Sequence, residues 1–437
     1  MKNKPERLVL LVALLALAAK IYCAATTLGT TDMLLFQGFG RYIAQEGVVN
    51  MYLKTRLFNH PPLLGNYIGL ASEWSGGNNR LFAFYNRLPG IFADFAVVLV
   101  VLWIRRRTGG PPWWALLLLA ASPVSFMISG YHGNYDSLIP LGLVLTVAAC
   151  LQNRAMLAGV LLGLACQVKI IPLVMAPVLF FFWLHRGQGA RFVAATVVTL
   201  LAGWSAPLVI IPQTFVHQVL VYNSIWGWWG ITYLLNISGL HELQGIVLFN
   251  PLTLPQTLVV YTLKALVILG ALIIAWRRRQ GPPQEMLRTM GIIWAVFFTF
   301  APGFGVQYLA WVSPFLLFYS ARWFAAFTAA ASVALFIFYN TISQGMPWFM
   351  GYRLEQTSGT WAPWMLLPWI VFAALAITAR QEMFGLSRTA ATAEGLELQR
   401  PAEHADEKEG KAFSSAPLSH SSAPSALPFS ASGDRSS

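Results

Sequence analysis

The sequence predicts an all-α, polytopic transmembrane helical bundle of about 12 spans, with amphipathic interfacial helices in the loops on one face. Three observations carry that expectation. The 437 residues are 57% hydrophobic and 11% charged, with a mean hydropathy of +0.58, which is not a soluble globular composition. Apolar stretches recur along the chain, each closed by a basic or Pro/Gly-rich break. The basic breaks all fall on a common side if the stretches alternate across a bilayer.

The first stretch, 8–28, follows Lys2, Lys4 and Arg7 and lacks a small-residue cleavage site, so it reads as a retained helix. Further spans are expected near 88–104, 113–128, 138–151, 155–168, 170–184, 192–212, 253–276, 287–301, 306–320, 324–341 and 361–379. Several are shorter than the roughly 20 residues a straight spanning helix needs. The 155–184 stretch is therefore either two short helices or one long broken one. Arg105-Arg106-Arg107, Arg154, Arg186, Arg191, Arg277-Arg278-Arg279, Arg288, Arg322 and Arg380 share a side with the N-terminal cations, which the positive-inside rule makes cytoplasmic. Both termini are then cytoplasmic, and the long loops 29–87, 213–252 and 342–360 face outward. Residues 1–384 read as one integral membrane domain. From 385 the composition turns to Ala, Ser, Glu and Pro, which predicts a disordered cytoplasmic tail over 385–437.

The net charge of +12 is topological arginine at helix ends beside anionic headgroups, so no nucleic-acid partner is expected. Cys23, Cys150 and Cys166 all fall within apolar spans, and no disulfide framework or zinc spacing can be built from them.

Two outward segments have interfacial character. In MLLFQGFGRYIAQEG, Leu35, Phe36, Phe39, Tyr42 and Ile43 recur at helical spacing with Arg41 and Glu46 on another face, which suits an amphipathic helix in the interface. In NSIWGWWGITYLLN, Trp226, Trp228, Trp229 and Tyr233 fit headgroup depth as anchors. Lining a lipid path is the sharper alternative for the same rings.

Carboxylates are expensive near hydrocarbon, so acids at a membrane edge are functional candidates. Nine Asp and Glu residues occur in the first 380 positions. Seven of them, Asp32, Glu46, Glu73, Asp94, Asp136, Glu242 and Glu355, fall opposite the arginines; Glu6 and Glu285 lie in the basic loops.

Asp32, directly after the first span in GTTDMLLF, is placed to take a proton from a hydroxyl acceptor; capping the following helix is the plainer reading. His60, in NHPPLL, is pushed toward an extended backbone by Pro61 and Pro62. That rigid polar turn could position a sugar or phosphate, although a lone histidine is more often structural. Asp94 sits inside the second span and needs a partner such as Arg87, Lys20 or Arg80; structural pairing and substrate contact are both open. In the turn GYHGNYDS, Asn134 and Asp136 offer hydrogen bonds suited to sugar hydroxyls, with helix capping as the alternative for Asp136. Lys169 interrupts a long apolar stretch at its outer turn, where an ammonium could stabilise charge on a leaving phosphate or simply snorkel, as Lys20 could. PGFGVQYLAW makes a further outer turn with Gln307 and Tyr308.

In their order and common outward face, these pieces resemble the C-type glycosyltransferases. The chain is most similar to the polyprenyl-phosphate-sugar-dependent mannosyltransferases, including bacterial family 87, over about residues 8–341. The resemblance implies inverting transfer of a sugar, mannose by family weight, from a polyprenyl-phosphate donor at the outer face of a bacterial inner membrane. The acceptor would be a glycolipid, a lipid-linked glycan or a protein. Asp32 would be the catalytic base and Lys169 the contact to the donor phosphate. His60, Asn134, Asp136, Gln307, Tyr308 and Asp94 would be further substrate-site candidates. No second acid stands beside Asp32, so the chain departs from a paired-acid metal motif; no metal and no cofactor are expected.

A secondary transporter predicts polar groups near the midplane, broken helices and paired repeats, whereas the acids here gather at one edge. A lipid-linked polysaccharide polymerase or ligase shares the many spans and outer loops and stays open. The sequence contains no GxxxxGK, HExxH or GxSxG, which removes the obvious ATPase, zinc protease and serine hydrolase classes.

Overall fold

A long apolar run can bury its backbone in hydrocarbon only by coiling, because each N–H and C=O must be paired within the segment. The apolar runs do coil in the computed structural model, which describes residues 4–221, 224–247, 251–352 and 354–383. The chain opens with α1 (Lys4–Thr26). Helices α2 (Thr31–Glu46), α3 (Val48–Lys54) and α4 (Pro62–Trp74) follow in the first long loop, which returns through the 30-residue α5 (Asn79–Thr108). Helix α6 (Trp113–His132) restarts at Pro123 and ends in a π turn over Phe126–His132. Then come α7 (Leu138–Leu151), α8 (Ala155–Cys166), α9 (Ile171–His185), α10 (Gly189–Ile210), α11 (Leu254–Arg277) and α12 (Met286–Phe300). Helices α13 (Ser313–Tyr319), α14 (Ala321–Ile342) and α15 (Ser358–Thr378) follow, and a short helix, Arg380–Met383, ends the described chain. The tail expected over 385–437 lies outside the described residues.

Seven of these helices, α1, α5, α6, α10, α11, α14 and α15, are long and apolar enough to cross a membrane, which makes this a multi-pass membrane protein. The expectation of 12 spans is not reached at that length. At about 1.5 Å per residue, the 14-residue α7 extends about 21 Å, short of a hydrocarbon core of roughly 30 Å. The 155–184 stretch resolves into two short helices, α8 and α9, with a 3-10 turn over Ile171–Met175. The span expected over 306–320 is likewise interrupted. A 3-10 segment, Val306–Trp311, precedes α13, where Pro314 occupies the first turn and favours a fresh start.

The short helices pack closely. Gly159 and Gly163, one turn apart on α8, face α10, and a Cβ on Gly163 would lie 2.6 Å from that of Thr199. Small residues at this spacing let two backbones approach. At the basic end, the two acids of the basic loops find arginines. Glu6 pairs with Arg106, and Glu285 lies 2.9 Å from Arg278.

Two interfacial expectations are corrected. Helix α2 does form, but its apolar face lies against α4, with Phe36, Phe39 and Ile43 buried and Leu35 exposed. That face covers a second hydrophobic core with Phe58, Ile68 and Phe215, because folding α4 back over α2 buries more apolar surface than lying alone in a headgroup layer. Trp226, Trp228 and Trp229 are likewise core residues, exposed by 4% or less, not anchors at headgroup depth. Trp229 stacks on Phe304 at 4.0 Å and donates its indole N–H to the carbonyl of Phe298; Trp228 meets Trp361 edge-on. Tyr233 is half-buried against the same core.

A two-residue parallel pairing, Gly29–Thr30 with Met350–Gly351, joins the entrance of α2 to the loop after α14. Gly29 adopts φ +86°, and a Cβ there would lie 2.9 Å from the carbonyl oxygen of Tyr131. Glycine is thus required where α1 turns into α2 against the end of α6.

Candidate functional site

Asp32 stands in the first turn of α2, one residue inside the helix. It does not cap: the N-cap is Thr30, whose hydroxyl instead reaches the carbonyl of His132 at 3.1 Å. The carboxylate meets the turn after α6. His132 Nε2 lies 3.0 Å from its Oδ2, and Asn134 Nδ2 donates to the same oxygen at 3.2 Å. Burial pushes the Asp32 carboxyl up. The bonds from His132 and Asn134 and the charges of His132 and Lys169 outweigh that, holding it below the ordinary carboxylate value. Its side chain keeps 28% of its surface open, so an ionised acid remains reachable by a ligand.

The turn that brings these donors is shaped by its backbone. The π segment widens the last turn of α6, and such turns concentrate at functional sites. Gly133 then reverses the chain in the left-handed region, φ +88°. Tyr135 pins the turn to the second core, buried between Phe36 and Tyr67 and donating its hydroxyl to Asn86. Behind it, Arg87 is fully buried and donates to the carbonyls of Ala24 and Thr27 at the end of α1 and of Gly130 on α6. Its charge rests on two helix C-termini, where the backbone dipoles favour a cation.

Asp136 and Lys169 form the second half of the site. Lys169, in the turn after α8, donates to Asp136 Oδ1 at 3.1 Å and lies 4.5 Å over the ring of Tyr308. Trp311 donates its indole N–H to the same Oδ1 at 2.6 Å and stacks on Tyr308 at 4.2 Å. Lys169 therefore does not snorkel; its ammonium is held inward by a carboxylate and two aromatic faces. Nor does Asp136 cap α7, whose N-cap is Ser137. The other oxygen of Asp136, Oδ2, is buried without a partner.

His60 lies between the halves. Its ring packs against Phe36 and Phe58, and its Nδ1 is buried and unpartnered. Burial and the charge of Lys169 push its pKa down to about 3 against the opposing pull of Asp32, so the ring is neutral. Gln307 is half-buried beside Tyr308 and joins the group through that shared turn alone.

Asp94 is not brought to this group. Its Oδ2 accepts from Lys20 Nζ at 2.6 Å and from the hydroxyls of Ser125 and Ser129, both at 2.5 Å, tying α5 to α1 and α6. The adjoining void is about 20 Å³, room for about one water and not for a sugar. Lys20 is thus a paired cation, not a snorkelling one. Asp94→Asn and Lys20→Met should each lower thermal stability by about 3–5 kcal/mol, since each leaves a buried partner unpaired, whereas Lys20→Met with Asp94→Leu should recover most of it. Thermal unfolding in detergent checks this; single variants as stable as wild type would remove the structural role.

His132, Trp311 and Tyr339 have no role assigned from sequence, and Arg87, a candidate partner for Asp94, instead binds backbone carbonyls while Asp94 takes Lys20. Of the first three, only His132 had a signal, its place in the same turn as Asn134 and Asp136. Among the described residues, no cluster of three or more His, Cys, Asp or Glu has the spacing to hold a metal ion.

Residues 90–302, just under half of the chain, match the family model for Glycosyltransferase family 87. The match supports a C-type membrane glycosyltransferase and includes Asp94, Asn134, Asp136 and Lys169; Asp32, His60, Gln307 and Tyr308 lie outside it. No curated protein matches the chain.

Proposed function

We propose that this family 87-type glycosyltransferase moves a sugar, mannose by family weight, from a polyprenyl-phosphate donor to a hydroxyl acceptor with inversion. Asp32 is the base in this reading. The observation that carries it is the pairing, in one cluster, of a partly open ionised carboxylate with an inward-held ammonium, on a helical membrane scaffold. The acceptor oxygen attacks C1 of the sugar while its proton passes to Asp32. The bond from C1 to the phosphate oxygen breaks, and its electrons leave on the lipid phosphate beside Lys169. Holding two membrane-bound substrates in line makes the encounter effectively unimolecular. A lipid phosphate leaving group also lets a fixed cation supply the electrostatic work. By the positive-inside rule the cluster faces outward and both termini lie in the cytoplasm.

The test is label transfer by purified protein in liposomes containing lipid extract, with polyprenyl-phosphate-mannose as donor and nucleotide-linked mannose as control. Transfer from the lipid donor alone, with the opposite anomeric configuration in the product, is the expected result. Transfer from the nucleotide sugar alone would overturn the donor assignment, and retention would overturn the single-displacement step.

A further inference from the structure

Asp32 is the end of a chain of three groups. His132 Nε2 lies 3.0 Å from Asp32 Oδ2, and Nδ1 of the same ring lies 3.0 Å from the hydroxyl of Tyr339 on α14. An ionised carboxylate only accepts, so the shared proton resides on Nε2. The Tyr339 hydroxyl meets Nδ1, so both ring nitrogens have a partner. The arrangement is built and not incidental. His132 is 4% exposed and Tyr339 is fully buried. Tyr339 is packed edge-on against Tyr131, whose own hydroxyl lies 2.6 Å from Ser343 Oγ. The bonds from His132 and Asn134 both fall on Oδ2.

We propose that His132, held by Tyr339, is a positioning residue for Asp32 in sugar transfer. It fixes the carboxylate so that Oδ1 meets the acceptor hydroxyl, and it keeps the base ionised. This rests on the reading of Asp32 as the base. During the step the acceptor proton goes to Asp32, the C1–phosphate bond electrons go to the phosphate, and His132 retains its Nε2 proton. The other titratable groups facing Asp32 are Lys169 from the turn after α8, His60 from the loop before α4 and Tyr308 from the turn before α13. Among the described residues these three act on Asp32 through space, and the direct bonds come from His132 and Asn134.

The experiment compares wild type, Asp32→Asn, His132→Ala, His132→Gln and Tyr339→Phe across a pH series, each checked for a single peak on gel filtration in detergent. His132→Ala should lower kcat by about 10–100-fold with KM little changed, the scale seen when a supporting partner is removed. It should also move the acid limb of the profile to higher pH, because Asp32 loses a donor that favours its charged form. His132→Gln retains a side-chain N–H and should recover much of both effects. Tyr339→Phe should fall between wild type and His132→Ala. An unmoved acid limb in His132→Ala, or equal loss in the Ala and Gln variants, overturns the positioning role. Failure of the underlying reading looks different: Asp32→Asn would then transfer sugar as wild type does.

Discussion

Asp32→Asn should lower sugar transfer by about 10²–10⁴-fold, the range a positioned general base contributes, with little change in the amount of folded protein. The substitution is nearly isosteric. Its amide oxygen still accepts from His132 and Asn134, so the α2–α6 contact survives while the proton acceptor is lost. The wild-type pH profile carries the same argument. The carboxyl is held below its usual value of about 3.9, so it is ionised throughout the neutral range. Activity assigned to this base should stay flat from neutral pH down to about 4 and fall only below it, as protonation removes the acceptor. An acid limb near pH 6 in kcat/KM would assign the base to another group.

Lys169→Met should cost both activity and stability, and the two losses can be separated. Removing a preorganised donor from charge that develops in the transition state costs about 10²–10³ in rate. It also strands Asp136, which is 1% exposed and would retain only the Trp311 N–H on Oδ1. An uncompensated buried carboxylate should lower stability by about 3–5 kcal/mol. Adding Asp136→Asn removes that charge while leaving an acceptor for Trp311. The double variant should therefore regain most of its thermal stability and stay inactive. Recovery of transfer along with stability would show that Lys169 serves only to neutralise Asp136.

Asp136, which holds this ammonium through Oδ1, has its Oδ2 buried and unpartnered, and His60, which feels the same charge, has its Nδ1 buried and unpartnered. Buried polar atoms normally find partners, and orphans cluster where a ligand or water completes them. In the proposed complex a donor phosphate shares Lys169 with Asp136, and a sugar hydroxyl has an acceptor in Asp136 Oδ2 and a hydrogen-bonding partner in His60 Nδ1.

Much of this was legible from residue order. Apolar length and the sidedness of arginine predict helices whose basic loops share one end, because hydrocarbon admits little else and charge placement is local information. Asp32, Asn134, Asp136, Lys169 and Tyr308 could be singled out because each interrupts apolar sequence beside a turn. Three things were decided by the tertiary structure. Which carboxylate meets which cation was one: Asp94 takes Lys20 and Asp136 takes Lys169, by the packing of α1, α5 and α6 and of the turns around α7 and α8. The fate of the aromatic faces was another, since the same apolar pattern suits a headgroup layer or a second core, and burial area chose the core for Phe36 and Trp229. The third was the support of Asp32. Tyr339 lies 207 positions from His132, which lies 100 from Asp32. No local period records such a contact; it exists only once α2, α6 and α14 are packed together, and hydrogen bonds of 3 Å then specify what sequence spacing cannot.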